Sequence, residues 1–334
     1  MRVLLETSSA FSRHVAGIGH PEAPERLDAI AAGIDALDLG DDLVRVEPRP
    51  ATPDELVTVH EPGFVEALER FCRDGGGRID SDTRGDAASW EAAVLAAGSG
   101  LDAAARLDDG EADAAFCAVR PPGHHATPSK AMGFCLLNSL AVCAAVLAGR
   151  GERVAVVDWD AHHGNGTQEV FWTDPRVLYA SMHQWPLFPG TGRLEEVGEG
   201  DGEGSTVNLP FPPGTTGDVY QAAFDEVVEP VAADFDPTWV LVSAGFDAHR
   251  ACPITSLGLS AGDYADLTRR AAELAPAGRR IAFLEGGYDL DALPGSAGAC
   301  VGALAGVEHR PEPPTSGGPG ADVVDAAARL RGRR

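Results

Sequence analysis

The chain has 334 residues, 44% of them hydrophobic, which is enough apolar content to bury a large core. It has no uninterrupted run of about 18 apolar residues, so no membrane-spanning helix is expected. A formal charge of −25 opposes direct binding to nucleic acid, which requires a basic face. The opening MRVLLETSSAFSRH lacks the basic-then-apolar layout of a secretory signal, so the expected location is cytoplasmic. Cys72, Cys117, Cys135, Cys143, Cys252 and Cys300 form no CxxC pair and read as free thiols packed like small hydrophobes.

In chain order, apolar β-branched runs predict strands over Arg2–Leu5, Ala114–Val119, Arg153–Asp158, Val177–Ser181, Trp239–Ser243 and Arg280–Leu284. Ala/Leu-rich stretches between them predict helices over Pro24–Leu37, Ala87–Leu107, Leu137–Ala148, Val219–Ala232, Ala261–Leu274 and Asp289–Leu304. Near-continuous apolar strands alternating with helices indicate a parallel sheet covered on both faces. No repeat or composition break divides residues 1–307, which read as one domain. Residues 308–334 read as a Pro/Gly linker, a short Ala/Arg helix and a terminal RGRR.

Ligands of open α/β sheets sit beyond the carboxyl ends of the strands, so the residues after each predicted strand matter most. Five of these strands lead into RPPGHHA with His124 and His125, Asp158-Trp-Asp160-Ala-His162-His163-Gly-Asn165, Ser181-Met182-His183, Ser-Ala-Gly-Phe-Asp247, and Glu285-Gly286-Gly-Tyr288. Side chains alternate along a strand, so Asp158, Asp160 and His162 share one face wherever extended geometry persists. Asp160 and His162 then reach one divalent ion, with Asp247 from another strand as third ligand and positions left open for water and substrate. That pattern belongs to catalytic rather than structural zinc. Carboxylate-rich ligation equally suits iron, manganese or cobalt. A lone Asp-x-His more often ends a strand in a buried polar network; the company of the other strand ends argues for the metal.

The RPPGHH segment is too rich in proline and glycine to be helical, so it presents two adjacent histidines on a rigid loop. An imidazole with a pKa of about 6.5 suits orienting and deprotonating a water at the metal. Asp158 and Asn165 are the acceptors best placed to fix the two tautomers. The glycines of EGGY let the backbone approach the pocket, and the phenol of Tyr288 can donate to a carbonyl oxygen as charge builds on it.

Taken in order, RPPGHHA, GFCLLN, DWDAHHGNGTQ, SAGFDAHR and EGGYD resemble the zinc-dependent histone deacetylase and acetylpolyamine amidohydrolase superfamily, with GHPEAPERLDAI similar to its opening segment. The tryptophan and asparagine of DWDAHHGNG look like the class II branch and its bacterial relatives. The resemblance runs from about Arg13 to Val307 and implies an arginase-like, three-layer α/β fold around a mostly parallel sheet. It further implies zinc on Asp160, His162 and Asp247, with His125 as general base and then acid. His124, held by Asp158, becomes electrostatic support, and Tyr288 the transition-state tyrosine. Asn165 stands where some relatives carry aspartate, which gives His125 a neutral partner. Phe134 and Phe188 match the aromatic walls of the acyl-lysine tunnel, with Gly133, Gly286, Ile254 and Asp82 also placed at the substrate. Arg26 matches an arginine near the acetate exit. Potassium is implied beside the zinc at Asp158, Asp160, His162, Ser181 and Met182, and a second ion at Phe171, Asp174 and Val177.

Ile254, seven residues after Asp247, stands where one acetylpolyamine-selective branch carries glutamate. An apolar residue there offers no counter-charge to a distal ammonium, which favours acyl-lysine in proteins or peptides over an acetylated small amine. Asp80, Asp82, Asp86 or a second subunit of a homo-oligomer could supply that charge instead. Two other readings compete: a binuclear arginase-type hydrolase, for which Ala248-His249 replaces the needed second carboxylate, and a non-catalytic acyl-lysine binder, which the intact Tyr288 opposes.

Overall fold

A computed structural model describes residues 1–332, so the last two residues of the expected RGRR tail lie outside the described residues. Ten strands form in chain order: β1 Val3–Glu6, β2 Leu43–Val46, β3 Gly76–Arg78, β4 Arg84–Asp86, β5 Ala114–Cys117, β6 Val154–Asp158, β7 Val177–Gln184, β8 Thr206–Phe211, β9 Trp239–Ala244 and β10 Arg280–Leu284. Eight of them make one sheet in the order β2-β1-β5-β10-β9-β6-β7-β8. Every pairing in it is parallel. β3 and β4 form a separate antiparallel hairpin.

The central strands are buried from end to end, as β6 VAVVD and β9 WVLVSA require when helices cover both faces. The result is the α/β fold expected from the alternating pattern. Two sheet strands escape the sequence pattern, both at the sheet margins. β2, LVRV, is half exposed and carries Arg45. β8, TVNLPF, mixes threonine, asparagine and proline, and Pro210 is tolerated because an edge strand has ladder positions that need no donor.

Helix boundaries follow local chemistry. Helix Ser139–Gly149 starts where the Asn138 side chain accepts from Ala141 N at 3.0 Å. Helix Ala261–Glu273 starts at a capping box made by Ser260 and Asp263. The helix expected over Val219–Ala232 is interrupted. Gly217–Ala223 passes through one π turn, Phe224–Val228, before Glu229–Phe235. Pro230 has no N–H for the regular ladder, and the wider turn accommodates it. Helix Pro62–Arg73 is a further element absent from the sequence expectations.

Beyond residue 307 the chain stays on the surface of the fold. Pro313 O accepts from Ser260 Oγ at 2.8 Å, and Thr315 Oγ1 donates to Asp263 at 2.7 Å. Helix Ala321–Arg331 follows, burying Val324 and Ala327 and packing along β8 and helix Gly217–Ala223. No described helix is long and apolar enough to cross a membrane.

Candidate active site

The four adjacent strands β5, β10, β9 and β6 end side by side, and their carboxyl ends deliver the residues singled out in the sequence. β6 stops at Asp158, so the extended geometry assumed through His162 does not persist. Asp158 therefore parts from the other two. Its Oδ1 takes the Asp160 N–H at 3.1 Å, which turns the chain, and its Oδ2 faces His124 Nδ1 at 3.1 Å. The Tyr179 hydroxyl donates to that same Oδ2 at 3.1 Å. Tyr179 lies mid-strand, where nothing in the sequence marks it as more than core.

Asp160, His162 and Asp247 converge, with one ligand atom from each lying within 4.8 Å of the others. The backbone aims the carboxylates. Gly286 N donates to Asp160 Oδ2 at 2.8 Å, and Ala161 N donates to Asp247 Oδ1 at 2.8 Å. The second oxygens face His162 Nδ1, at 3.2 Å from Asp160 Oδ1 and 2.8 Å from Asp247 Oδ2. Two glycines are obligatory here. A Cβ on Gly286 would stand 2.5 Å from Asp247 Oδ2, and one on Gly245 would stand 2.1 Å from Asp160 Oδ2. Two carboxylates and an imidazole, oriented from behind by peptide N–H groups and open on one side, fit a divalent metal such as zinc.

His124 and His125 sit beside this cluster with ring centroids 4.1 Å apart. Their environments push them in opposite directions. Burial opposes charge on His124, but the carboxylates of Asp160, Asp158 and Glu285 outweigh it and raise its pKa to about 10. Burial lowers His125 well below its ordinary value, and positive charge on His124 and His162 adds to the effect. Asn165 Oδ1 lies 2.8 Å from His125 Nδ1 and can only accept, so Nδ1 carries the proton and Nε2 is the basic atom. Paired titratable groups with opposed shifts are the arrangement of an acid/base site.

Glu285 stands out in the sequence only as part of EGGY, yet it holds the histidine loop. Its Oε2 accepts from Gly123 N at 2.7 Å and His124 N at 3.2 Å, and burial raises its pKa to about 7. Arg26 is fully buried and lies under Tyr288, with its guanidinium carbon 5.0 Å from the ring centre. It donates to Gly287 O at 2.6 Å and Glu285 O at 2.5 Å, and pairs with Glu22 at 3.1 Å. Arg120 closes the same group by a two-pronged contact with Glu22.

A cavity of about 210 Å³ opens onto the histidines, lined by Asp82, Pro122, His124, His125, Gly133, Phe134, His162, Leu187, Phe188, Ile254, Gly286 and Tyr288. Phe188 stands edge-on to His125 at 5.1 Å, and Phe134 edge-on to Tyr288 at 5.8 Å. Gly133 has φ +57°, and a Cβ there would meet the His125 ring at 2.4 Å. Phe134 is also left-handed, at φ 68°, a strained state for a non-glycine residue. Its N–H donates to Thr83 Oγ1 at 3.1 Å, which ties it to the turn bearing Asp82. A larger, open groove of about 820 Å³ lies at the opposite, amino-terminal ends of β7 and β8, where the metal-ligand cluster is absent.

Ser181 and Met182 lie on β7, with Ser181 directly opposite Asp158. The Ser181 hydroxyl lies 2.9 Å from His183 Nδ1. Phe171, Asp174 and Val177 form consecutive turns before β7, and the Asp174 carboxylate is bound by Arg176 at 2.7 Å. All six cysteines are free and buried.

A parallel α/β sheet that gathers a carboxylate–imidazole cluster, a histidine pair and a phenol at its carboxyl edge has the composition of a metal-assisted hydrolase site. The histone deacetylase domain matches residues 20–304, and the chain belongs to that family. A probable deacetylase of Archaeoglobus fulgidus is 44% identical over 298 residues, covering 86% of this chain and 83% of that protein. Histone deacetylase 15 of Arabidopsis thaliana is 40% identical over 88% of this chain, which spans only 54% of that longer protein. The crystal structure of the HDA15 HD domain superposes with a TM-score of 0.91 at 36% identity, covering 99% of this chain and 94% of that one. The chain is thus a deacetylase-family hydrolase of amides.

Proposed function

We propose that the chain is a zinc-dependent deacylase that releases acetyl or other acyl groups from the ε-amine of acyl-lysine in proteins or peptides. The observation that carries this reading is geometric: the Asp160–His162–Asp247 cluster opens onto one cavity beside two adjacent histidines, His124 paired with Asp158 at 3.1 Å and His125 with its Nδ1 on Asn165 Oδ1 at 2.8 Å, which leaves Nε2 as the basic atom. Asp160, His162 and Asp247 would hold the zinc, which when bound would supply Lewis acidity for attack of water on the acyl group. His125 Nε2 takes the proton of that water as the carbonyl carbon is attacked. The Tyr288 hydroxyl, kept protonated by burial, donates to the acyl oxygen as negative charge develops. His124, anchored by Asp158, remains a cation that supports this charge. His125 then returns its proton to the departing amine, leaving a carboxylate and a free lysine.

Phe134 and Phe188, both lining the cavity, would serve as walls for an acyl-lysine stem, with Gly133 and Gly286 permitting close approach. Ile254, 39% exposed, stands at the rim. Asp82 is the only carboxylate among the cavity-lining residues, and hydrolysis of an acetylated polyamine is the second reading because Asp82 could meet a distal ammonium. The same proposal includes residues 1–307 as the catalytic domain with 308–334 appended, and a cytoplasmic location. It also includes potassium near Asp158, Asp160, His162, Ser181 and Met182, with a second ion at Phe171, Asp174 and Val177.

Turnover of a fluorogenic acyl-lysine panel alongside acetylputrescine, with and without chelator, tests the reading. Turnover of the acetyl-lysine peptide, lost with chelator and restored by zinc, is expected. Faster turnover of acetylputrescine would transfer the assignment to the second reading.

A further inference from the structure

The excursion between the proposed ligand Asp247 and helix Ala261–Glu273 carries Ile254 to the rim of the cavity. It is a closed loop. Arg250 N donates to Leu259 O at 2.8 Å and Leu259 N to Ala248 O at 3.1 Å, so His249 and Leu259 stand side by side at its base. Both feet of that base are gripped by one side chain from the C-terminal segment, outside the matched residues 20–304. Glu312 Oε2 lies 2.7 Å from His249 Nε2 on the first foot and accepts from Ala261 N at 2.9 Å on the second. Glu312 Oε1 accepts from Arg250. The Ala251 N–H donates to His249 Nδ1 at 3.1 Å, so Nε2 carries the hydrogen directed at Glu312.

The two ends of this loop are anchored differently. Asp247 is held from the sheet by Ala161 N, independently of Glu312. The tip is tied to other parts of the fold: Ser256 N donates to Gln184 Oε1 at 2.7 Å, Gly214 N donates to Ser256 O at 2.6 Å, Gly258 N donates to Thr215 O at 2.8 Å, and Thr255 Oγ1 donates to Asp247 O. Loss of Glu312 therefore removes the side-chain ties at both feet of the loop bearing Ile254, leaves its backbone bonds to be broken more easily, and spares the Ala161 N bond to Asp247.

We propose that Glu312 is a positioning residue for substrate binding: it staples the feet of the 248–260 loop and so sets the position of Ile254 at the mouth of the tunnel. This rests on the proposed reading of the cavity as the acyl-lysine tunnel. Its consequences fall on KM and not on the chemical step, because Glu312 touches no reacting group. A carboxylate shared by a helix N-terminal N–H, an imidazole and a guanidinium gives charge-assisted bonds that a neutral side chain replaces only in part.

The test uses the full chain and three variants, Glu312→Ala, Glu312→Gln and, as a control, Glu308→Gln, whose side chain is exposed and bonds only within the segment to Arg310. Glu312→Ala is expected to raise KM for an acetyl-lysine peptide about three- to tenfold with kcat within about twofold, the usual reach of an indirect coupling. Glu312→Gln falls between it and the parent, and Glu308→Gln matches the parent. Amide hydrogen exchange supplies a readout independent of turnover. In Glu312→Ala the amides of 250–258 exchange faster while those of β6 and β9 do not. Unchanged exchange at 250–258, or a fall in kcat with KM unmoved, overturns the role of Glu312. Absence of turnover by the parent chain on every acyl substrate instead overturns the tunnel reading, and exchange still decides whether Glu312 holds the loop.

Discussion

The candidate metal cluster and the mouth of the cavity lie within one cavity's depth of each other but are held in place by different means. At the cluster, Asp160 and Asp247 are buried and each takes a hydrogen bond from a peptide N–H just beyond the end of another strand. Nothing there depends on a surface side chain. At the mouth, Phe134 hangs on the Thr83 hydroxyl, and the Ile254 loop draws on the Glu312 and Gln184 side chains beside its backbone bonds to Gly214 and Thr215. A site of this kind separates a rigid reacting centre from a rim that side-chain changes can reshape, as expected when loops on a fixed scaffold carry specificity.

The sharpest way to break the comparison is at the centre. His125→Ala is expected to lower kcat by about 10²–10⁴, and Tyr288→Phe by about 10²–10³, the usual ranges for a general base and an oxyanion donor. Elemental analysis should find the metal content of both unchanged, since neither supplies a ligand atom. Near-normal turnover of His125→Ala would falsify its assignment. A smaller loss, about tenfold to a hundredfold in kcat, is expected for Gly133→Ala, whose methyl group meets the His125 ring and displaces it. At the rim, Ile254→Glu should shift the ratio of kcat/KM values toward acetylputrescine by about tenfold. Competition assays with both substrates read this directly, and an unchanged ratio would place substrate selection elsewhere, with Asp82 the next candidate.

The smallest effects lie away from the site and concern stability. Glu6 is fully buried at the end of β1, and neither carboxylate oxygen has a hydrogen-bond partner. Burial, with the charge of Asp102 behind it, raises its pKa to about 8. The folded state then holds a proton that the unfolded chain releases near its ordinary 4.5, so stability falls as pH climbs from 4.5 through about 8. Glu6→Gln should raise the melting temperature by a few degrees at neutral and alkaline pH and leave it unmoved at pH 4; the same shift at both would exclude titration as the cause. Glu312 has the opposite sign. Burial works against its charge, but Ala261 N, His249 and Arg250 lower its pKa to about 2. Its contribution is present above 4.5 and is lost as pH falls toward 2. Loosening of residues 308–332 below pH 4, followed by limited proteolysis, checks it.

Much of the centre is legible in the sequence, because a parallel sheet gathers the segments after its strands at one edge, and those segments are dense in histidine, aspartate and glycine. Periodicity misleads where a local break overrules it. Alternation groups Asp158 with Asp160 and His162, but β6 ends at Asp158, and the turn made by its own Oδ1 sends it to His124 instead. The roles of Glu285 and Tyr179 are hidden for another reason: one looks like part of a turn and the other like core, and only their partners give them meaning. The edge strands β2 and β8 lack the continuous apolar run that burial on both faces imposes on central strands.

By itself the sequence determined the class of fold, the family and the residues that gather at the carboxyl edge of the sheet, since these depend on patterns local to each strand and the few residues after it. Tertiary structure alone decided that Tyr179 bonds to Asp158 and that Glu285 holds the histidine loop. It also decided that His124 and His125 carry opposite charge preferences, and that Glu312 reaches back some 60 residues to hold the rim. The physical reason is common to all three. Electrostatic environment and hydrogen-bond partners are properties of groups brought together across strands, and no spacing along one segment encodes them.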